Sequence, residues 1–155
     1  GHTEAAGYCL VASAKRDNMR LISVVMGTQS TKTRLQASQT LLDHGFRLYA
    51  SHRLYPAEQV LVNPRIWFGA QKTIALGVAN DLYITIPRDQ YEQLQARTEI
   101  RNHPEAPIQK GQALGRVIIE LNQQMVAQAP LVALSNAPKG NLWRQLVDYL
   151  LQWLE

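Results

Sequence analysis

GHTEAAGYCLVASA, residues 1–14, joins a glycine-rich turn directly to an apolar, β-rich run. The run Gly7–Ala14 predicts one strand, and Met19–Gly27 predicts a second. The polar link Lys15–Asn18 between them is typical of a β-hairpin. No Met, charged segment or apolar signal-peptide core precedes the first strand, so we expect residue 1 to be a cut end of a longer chain.

A helix is predicted after the hairpin, over Thr31–His44, with Ser30 as its N-cap and Gly45 as its end. The face that should lie against the hairpin consists of Leu35, Ser38, Leu41 and Leu42. Two strands and one helix have exposed edges and too small a core to be stable alone. We therefore expect residues 1–47 to be the end of a larger domain.

The region from residue 48 to residue 139 has no convincing helical period, and short β-rich runs alternate there with turn residues. The predicted strands are Gln59–Val62, Thr73–Val78, Leu82–Ile86, Leu94–Ile100, Ala113–Leu121, Met125–Gln128 and Leu131–Ser135. Asn122-Gln123 lies between two of them and predicts a hairpin. Short strands at this spacing favour a small antiparallel β-sandwich as a second domain.

The last segment, residues 140–155, predicts an amphipathic helix that Asn141 can cap. Its apolar residues fill an arc of about 200° on a helical projection. They are Leu142, Trp143, Leu146, Val147, Tyr149, Leu150, Leu151, Trp153 and Leu154. Polar residues, Asp148 among them, fill the rest of the projection. The chain as a whole is predicted to be mainly β with two helices.

The composition limits the kinds of partner that we expect. The formal net charge is +4, and the basic residues are scattered with no run of five, so we expect no nucleic-acid partner. The four histidines are scattered without ligand spacing, and we expect neither a metal site nor a cofactor. Cys9 stands alone in an apolar strand, which favours a buried small side chain over a reactive thiolate.

Several short motifs occur in an order and spacing that resemble one enzyme family. Gly-His-Thr followed by Ala-Gly-Tyr and a strand resembles the segment after Lys-Thr in the Lys-Thr-Gly motif of penicillin-interacting serine enzymes. Further matches are Met19–Ser23, His44–Arg47, Ile66–Gly69, Tyr83–Arg88 and Pro130–Val132. Together they resemble, nearly end to end, the D-alanyl-D-alanine carboxypeptidases of the type-5 low-molecular-mass penicillin-binding proteins.

This resemblance implies that residues 1–47 end an α+β, transpeptidase-like catalytic domain and that residues 48–139 form the β-rich second domain. It implies a serine-type hydrolase that removes the terminal D-alanine from peptidoglycan pentapeptide stems through an acyl-enzyme and is acylated by β-lactams. The family takes its nucleophile and base from Ser-x-x-Lys and Ser-x-Asn motifs, and neither pattern occurs in these 155 residues. We therefore expect the chain to be inactive alone.

The resemblance also implies which residues form the site. Gly1 matches the glycine of Lys-Thr-Gly, and His2 matches the residue whose backbone N–H donates to the oxyanion hole. Thr3 is expected to line the substrate cleft. Arg34 matches an arginine that binds the free carboxylate of the terminal D-alanine, which a guanidinium can grip with two hydrogen bonds. The alternatives are an ordinary loop histidine and an exposed helix arginine.

The resemblance further implies that the tail anchors the protein to a membrane, because related carboxypeptidases attach through a C-terminal amphipathic helix. The expected anchor residues are Leu142, Trp143, Leu146, Val147, Leu150, Trp153 and Leu154. Such a helix would lie in the membrane interface, on the periplasmic face of the bacterial inner membrane. The alternative is an ordinary packing helix, on the sandwich or on the tail of another chain.

Two classes of function therefore remain open from the sequence. The first is the C-terminal part of a carboxypeptidase, with peptidoglycan stems and β-lactams as partners. The second is a non-catalytic β-sandwich module that attaches to a membrane or binds a partner. In both cases we expect the surface left open on residues 1–46 to be covered by the missing N-terminal catalytic part, or by self-association in its absence.

Overall fold

The computed structural model describes residues 1–101, 104–141, 143, 148 and 149. The chain forms two compact units. The first contains Gly1–His52 and Ile84–Glu92, and the second contains Arg53–Tyr83 and the described residues from Gln93 onward. The segment Ile84–Glu92 therefore belongs with the first unit, although the sequence pattern placed residues 48–139 together in a second domain.

The first unit is built on the predicted hairpin, which is confirmed. Its strands are β1 (His2–Thr3), β2 (Gly7–Arg16) and β3 (Met19–Thr28), in the antiparallel order β1-β2-β3. The link between β2 and β3 is shorter than predicted and consists of Asp17 and Asn18 alone. Asp17 has a positive φ of 52°, which such a tight hairpin turn requires.

Helix α1 (Thr31–Leu48) follows the hairpin. Its predicted start is confirmed, because the Ser30 side chain accepts a hydrogen bond from the Thr33 N–H at 3.1 Å. Its predicted end at Gly45 is wrong, because the helix continues through that residue to Leu48. A Cβ at Gly45 would lie 2.6 Å from Cδ1 of Leu21 on β3, so this glycine serves close packing and does not end the helix.

The face that α1 turns towards the hairpin is only partly the predicted one. Ser38 is buried, and its hydroxyl hydrogen-bonds the buried hydroxyl of Ser23 on β3. Phe46, two turns further along the helix, is buried as well. Leu35 and Leu41, which were predicted to pack on the hairpin, are 55% and 52% exposed. The helix is therefore packed through a narrower row of residues than its apolar pattern indicated.

The opposite face of the hairpin is apolar and exposed. Successive side chains along a strand point to opposite faces of the sheet. The residues of β3 that alternate with the helix-facing ones therefore point away from α1. The exposed apolar residues of this face are Val11, Ile22, Val24 and Met26. We expect the open surface of residues 1–46 to be covered by the N-terminal catalytic part or by self-association. That expectation depends on this apolar face and stays a prediction.

Seven further strands follow in the described part of the chain. They are β4 (Tyr49–Tyr55), β5 (Val60–Val62), β6 (Leu76–Gly77), β7 (Leu82–Pro87), β8 (Leu94–Ile100), β9 (Ala113–Leu121) and β10 (Gln124–Ala133), with a 3-10 helix at Arg88–Gln93. The second unit contains an antiparallel sheet in the order β5-β6-β10-β9-β8, and β4 pairs with β7 separately. The prediction of a mainly β, antiparallel architecture is confirmed.

The strand boundaries agree with the sequence pattern where turns are clear. β8 and β9 have the predicted bounds, and the β9–β10 hairpin turns at Asn122 and Gln123, which both have positive φ. The two runs predicted at the end of the sheet form one strand, β10. Proline has no backbone N–H to donate, so it is tolerated only where a strand is paired on one side. At Pro130 this condition is met, because β10 pairs there with β9 alone and β6 pairs only with residues 132 and 133. β4 was not predicted.

A network of charged side chains lies on β8 and β9. Arg97 donates to Glu120 at 2.9 Å and also to Glu99, and Arg116 donates to Glu99 at 2.7 Å. The hydrogen bonds from Arg97 and Arg116 lower the pKa of Glu99. The cross-strand pairs support the register of the two strands.

Ile118→Ala should lower the free energy of unfolding of the second unit by about 2–5 kcal/mol. Ile118 lies in β9, which pairs on both sides, and it is buried together with Ile119 and Leu131. Truncation removes buried apolar contacts and leaves a cavity. Urea denaturation of the full chain measures the loss. Val126→Ala, on an exposed position of β10, is the control and should cost less than about 0.5 kcal/mol; equal losses would contradict this account of the core.

Candidate functional site

The predicted site begins at the edge of the first unit's sheet, where β1 pairs with β2. The Gly1 amine donates to the Cys9 carbonyl at 2.9 Å, and the Cys9 N–H donates to the Gly1 carbonyl at 2.8 Å. In an antiparallel ladder, hydrogen-bonded pairs alternate with non-bonded pairs, so the next pair, His2 and Tyr8, is non-bonded. The backbone N–H of His2 therefore points away from β2.

A tight turn holds β1 in this position. The Ala6 N–H donates to Oγ1 of Thr3 at 3.0 Å, and Gly7 has a φ of 63°. A Cβ at Gly7 would come within 3.0 Å of the Thr28 carbonyl oxygen, so the position requires glycine. Thr3, which the resemblance places in the substrate cleft, is exposed, and its hydroxyl oxygen closes this turn.

Arg34 lies at the start of α1, where its N–H donates to the Ser30 carbonyl. Its Nη1 donates to the Gly1 carbonyl at 3.0 Å and to the Cys9 carbonyl at 3.1 Å. The structure therefore brings Arg34 to the end of β1, although 33 residues separate it from Gly1 in the sequence. The Nε atom of Arg34 is buried and has no hydrogen-bond partner among the described residues.

Tyr8 is the residue of this cluster that sequence reasoning missed. Its ring lies 4.0 Å from the His2 ring, centre to centre, and 5.6 Å from the guanidinium carbon of Arg34. The Tyr8 carbonyl accepts a hydrogen bond from the Thr28 hydroxyl at 2.9 Å. Close side chains are expected across a non-bonded pair of strand residues. The register of β1 and β2 was the signal that could have found Tyr8.

The cluster is suited to an anionic group. A guanidinium and an outward-pointing backbone N–H are both hydrogen-bond donors, and a guanidinium carries five N–H groups, of which those on Nη1 bond the Gly1 and Cys9 carbonyls. No group of three metal-ligating side chains occurs among the residues that the structure describes. Cys9 is half-buried, and its Sγ donates to the Ala6 carbonyl at 3.4 Å.

The predicted anchor lies mostly outside the described residues. This applies to Leu142, Leu146, Val147, Leu150, Trp153 and Leu154. Trp143 and Tyr149 are described, and they are 77% and 71% exposed. Within the described part of the chain, no helix has both the length and the apolar character needed to cross a membrane.

Comparison with known protein families gives two matches. Residues 49–139 match the family described as penicillin-binding protein 5, C-terminal domain. Residues 1–30 match the family described as D-alanyl-D-alanine carboxypeptidase. The first match covers more than half of the 155 residues.

Curated relatives and solved structures agree with these matches. The D-alanyl-D-alanine carboxypeptidase DacA of Escherichia coli strain K12 is 40% identical over 152 residues, which are 97% of this chain and 38% of that protein. DacF of Bacillus subtilis strain 168, another D-alanyl-D-alanine carboxypeptidase, is 33% identical over 90% of this chain and 36% of that protein. Penicillin binding protein 5 from Haemophilus influenzae superposes with a TM-score of 0.81 at 37% identity, covering 90% of this chain and 41% of that chain.

The chain thus spans about two fifths of the length of these relatives. The order of the two family matches follows the order of the structural elements. The carboxypeptidase match covers the hairpin of the first unit, and the C-terminal-domain match begins with β4 and contains the whole of the large sheet. This chain belongs to the family defined by the C-terminal domain of penicillin-binding protein 5.

Proposed function

We propose that this chain is the C-terminal part of a serine-type D-alanyl-D-alanine carboxypeptidase that trims peptidoglycan pentapeptide stems and is acylated by β-lactams. One observation carries the proposal: Arg34 Nη1 donates to the Gly1 carbonyl at 3.0 Å, so the guanidinium lies at the same end of β1 as His2, whose backbone N–H points away from β2. A carboxypeptidase has to recognise both a scissile carbonyl and a free chain end. Donors for both lie at the β1 end of the first unit, one on His2 and one on Arg34.

Each group in this cluster has a separate role in the proposed reaction. The backbone N–H of His2 would stabilise the oxyanion that forms when the scissile carbonyl is attacked. The Arg34 guanidinium would hold the carboxylate of the terminal D-alanine and so orient the peptide bond before attack. Tyr8 would limit the positions open to His2 and to the Arg34 guanidinium, because its ring contacts the His2 ring and faces the guanidinium.

The nucleophile and the base of the proposed enzyme would come from outside this chain. Ser-x-x-Lys and Ser-x-Asn motifs do not occur in the sequence, and a hydroxyl nucleophile needs an adjacent base to react at neutral pH. The role proposed for the 155 residues is therefore to bind and orient the substrate, while the rest of the enzyme would perform the covalent step.

The isolated 155-residue chain should form no covalent adduct with a fluorescent penicillin, whereas a full-length protein that contains this segment should be labelled stoichiometrically. The full-length protein should also release D-alanine from a pentapeptide stem, and the isolated chain should not. Gel fluorescence and intact mass measure the first difference, and amino-acid analysis measures the second. A stoichiometric adduct on the isolated chain would refute the division of roles, and an unlabelled full-length protein would refute the proposed reaction.

The proposed place of action is the periplasmic face of the bacterial inner membrane, with the tail of residues 140–155 in the lipid interface. The exposed aromatic residues Trp143 and Tyr149 support this proposal, because tryptophan and tyrosine favour the membrane–water boundary. In the absence of the N-terminal part, the exposed apolar face of β2 and β3 would favour self-association.

A further inference from the structure

One acidic side chain of the tail is bound by the second unit. The side chain of Asp148 is only 13% exposed. Its Oδ2 accepts a hydrogen bond from the Phe68 backbone N–H at 2.9 Å, and its Oδ1 lies 3.3 Å from Nη2 of Arg65. Both carboxylate oxygens therefore have partners on the same short segment of the second unit, more than 75 residues earlier in the chain.

The segment that binds Asp148 is held in a defined conformation. The Ile66 N–H donates to the Lys72 carbonyl at 2.9 Å, and the Phe68 carbonyl accepts from the Gly140 N–H at 2.8 Å. Phe68 has a positive φ of 58°, which is uncommon for a residue with a bulky side chain. In this conformation the Phe68 N–H points to Asp148 and not into the sheet. The carboxylate accepts the hydrogen bond that this backbone N–H needs.

Two ring contacts extend this binding. The guanidinium carbon of Arg65 lies 3.9 Å from the centre of the Trp67 ring, which fixes the cation that faces Asp148. The Phe68 ring lies 5.9 Å from the Tyr149 ring, centre to centre. Polar and aromatic contacts therefore join the same two segments, and a charge-assisted hydrogen bond in a partly buried setting is stronger than an exposed ion pair.

We propose that residues 65–68 are a docking site for the tail and that Asp148 is the positioning residue that fixes the tail to the second unit. The functional consequence rests on the proposed membrane attachment. While Asp148 is bound, Trp143 and Tyr149 remain exposed, so the aromatic side chains stay available to lipid. The second unit would then stand at a fixed orientation to the bilayer instead of on a flexible tether.

The docking site also changes the charge that the tail presents to lipid. Asp148 and Glu155 are the acidic residues of the segment 142–155, and Arg144 is its basic residue. Arg65 offsets the charge of Asp148 before any membrane contact. A docked tail is therefore less repelled by anionic lipid than its own sequence indicates.

Asp148→Ala should raise the hydrogen-exchange rate of the Phe68 amide about tenfold or more, because that N–H loses a charged acceptor. NMR on the full 155-residue chain measures this rate directly. Exchange of the Ile118 amide, in the core of the sheet, should not change and reports that the second unit remains folded. Glu58→Gln, which removes a surface ion pair with Lys110, is the matched control and should leave the Phe68 rate unchanged.

Two further variants separate the contributions of charge and hydrogen bond. Asp148→Asn keeps an acceptor oxygen for the Phe68 N–H but loses the charge that faces Arg65, so the exchange rate should lie between those of wild type and Asp148→Ala. Arg65→Gln keeps the carboxylate and should give a similarly intermediate rate. If the Phe68 amide exchanges equally fast in wild type and in Asp148→Ala while the Ile118 amide stays protected, Asp148 does not dock the tail.

Vesicle binding distinguishes a failure of this proposal from a failure of membrane attachment. Asp148→Ala should still pellet with vesicles because Trp143 and Tyr149 are unchanged. If wild type does not pellet with vesicles, the membrane proposal fails, while the exchange measurement still decides whether Asp148 docks the tail. If Asp148→Ala leaves the Phe68 rate unchanged and wild type pellets, the docking site is refuted and membrane attachment is supported.

Discussion

Arg34→Ala, introduced into a full-length carboxypeptidase that contains this segment, should lower kcat/KM for peptides that end in free D-alanine about 10²-fold. This is the effect of losing a charge-assisted pair of about 2–3 kcal/mol between a guanidinium and a carboxylate. Arg34 is held against the Gly1 and Cys9 carbonyls and over the Tyr8 ring, so its position is fixed before substrate arrives. A fixed donor loses little conformational entropy when it binds.

A substrate without the terminal charge is the control for this prediction. The same peptide with a C-terminal amide should lose much less than the free acid, because it offers Arg34 no carboxylate. Arg20→Ala removes another arginine of the first unit, one that donates to the Ser13 hydroxyl at 2.8 Å, and should leave both substrates unaffected. Equal losses for acid and amide in Arg34→Ala would mean that Arg34 only holds β1 in place.

Local signals in the sequence predict local structure well in this chain. Ser30 starts α1 as expected because a serine side chain can accept a hydrogen bond from the third residue of the helix. The Asn122-Gln123 turn is equally clear, because two polar residues, the first an asparagine that tolerates positive φ, stand between two β-rich runs. In both cases the interactions that determine the structure lie within a few residues of one another, so the local sequence is enough to predict it.

The misplaced elements depend on contacts with distant residues. Gly45 resembles a helix stop, but the helix continues because the glycine makes room for Leu21 on β3. Leu35 and Leu41 fit an apolar helical face, yet the hairpin covers only the row that contains Ser38 and Phe46. Where the helix ends and which of its residues are buried depend on how closely the helix and the hairpin approach each other. The apolar periodicity of the sequence carries no information about that distance.

The site shows the same limit. The sequence places His2 and Arg34 in a common site only through resemblance to a family, because no spacing rule joins positions so far apart. Tyr8 was not predicted as a site residue, because its place beside His2 follows from the register of β1 on β2. Asp148 was assigned to the polar arc of the tail, and a helical projection cannot reveal that Arg65 and Phe68 bind it.

Trp143→Glu combined with Leu150→Glu should abolish co-sedimentation of the chain with phospholipid vesicles. The segment 142–155 would form a helix of about 21 Å, which is too short to cross a hydrocarbon core of about 30 Å. It can therefore bind only in the interface, with its apolar arc among the lipids, and two charges placed in that arc should remove the driving force. Because apolar burial dominates, about 0.5 M salt should reduce binding only slightly.

Two charges placed on the other arc are the matched control for this prediction. Gln145→Glu combined with Gln152→Glu adds the same net charge to polar positions of the segment, so binding should persist. Loss of binding in both double variants would indicate that net charge, and not apolar burial, controls attachment. Undiminished pelleting of the Trp143 and Leu150 double variant would show that the segment is a packing element, and the Asp148 contact with residues 65–68 would then account for its place in the protein.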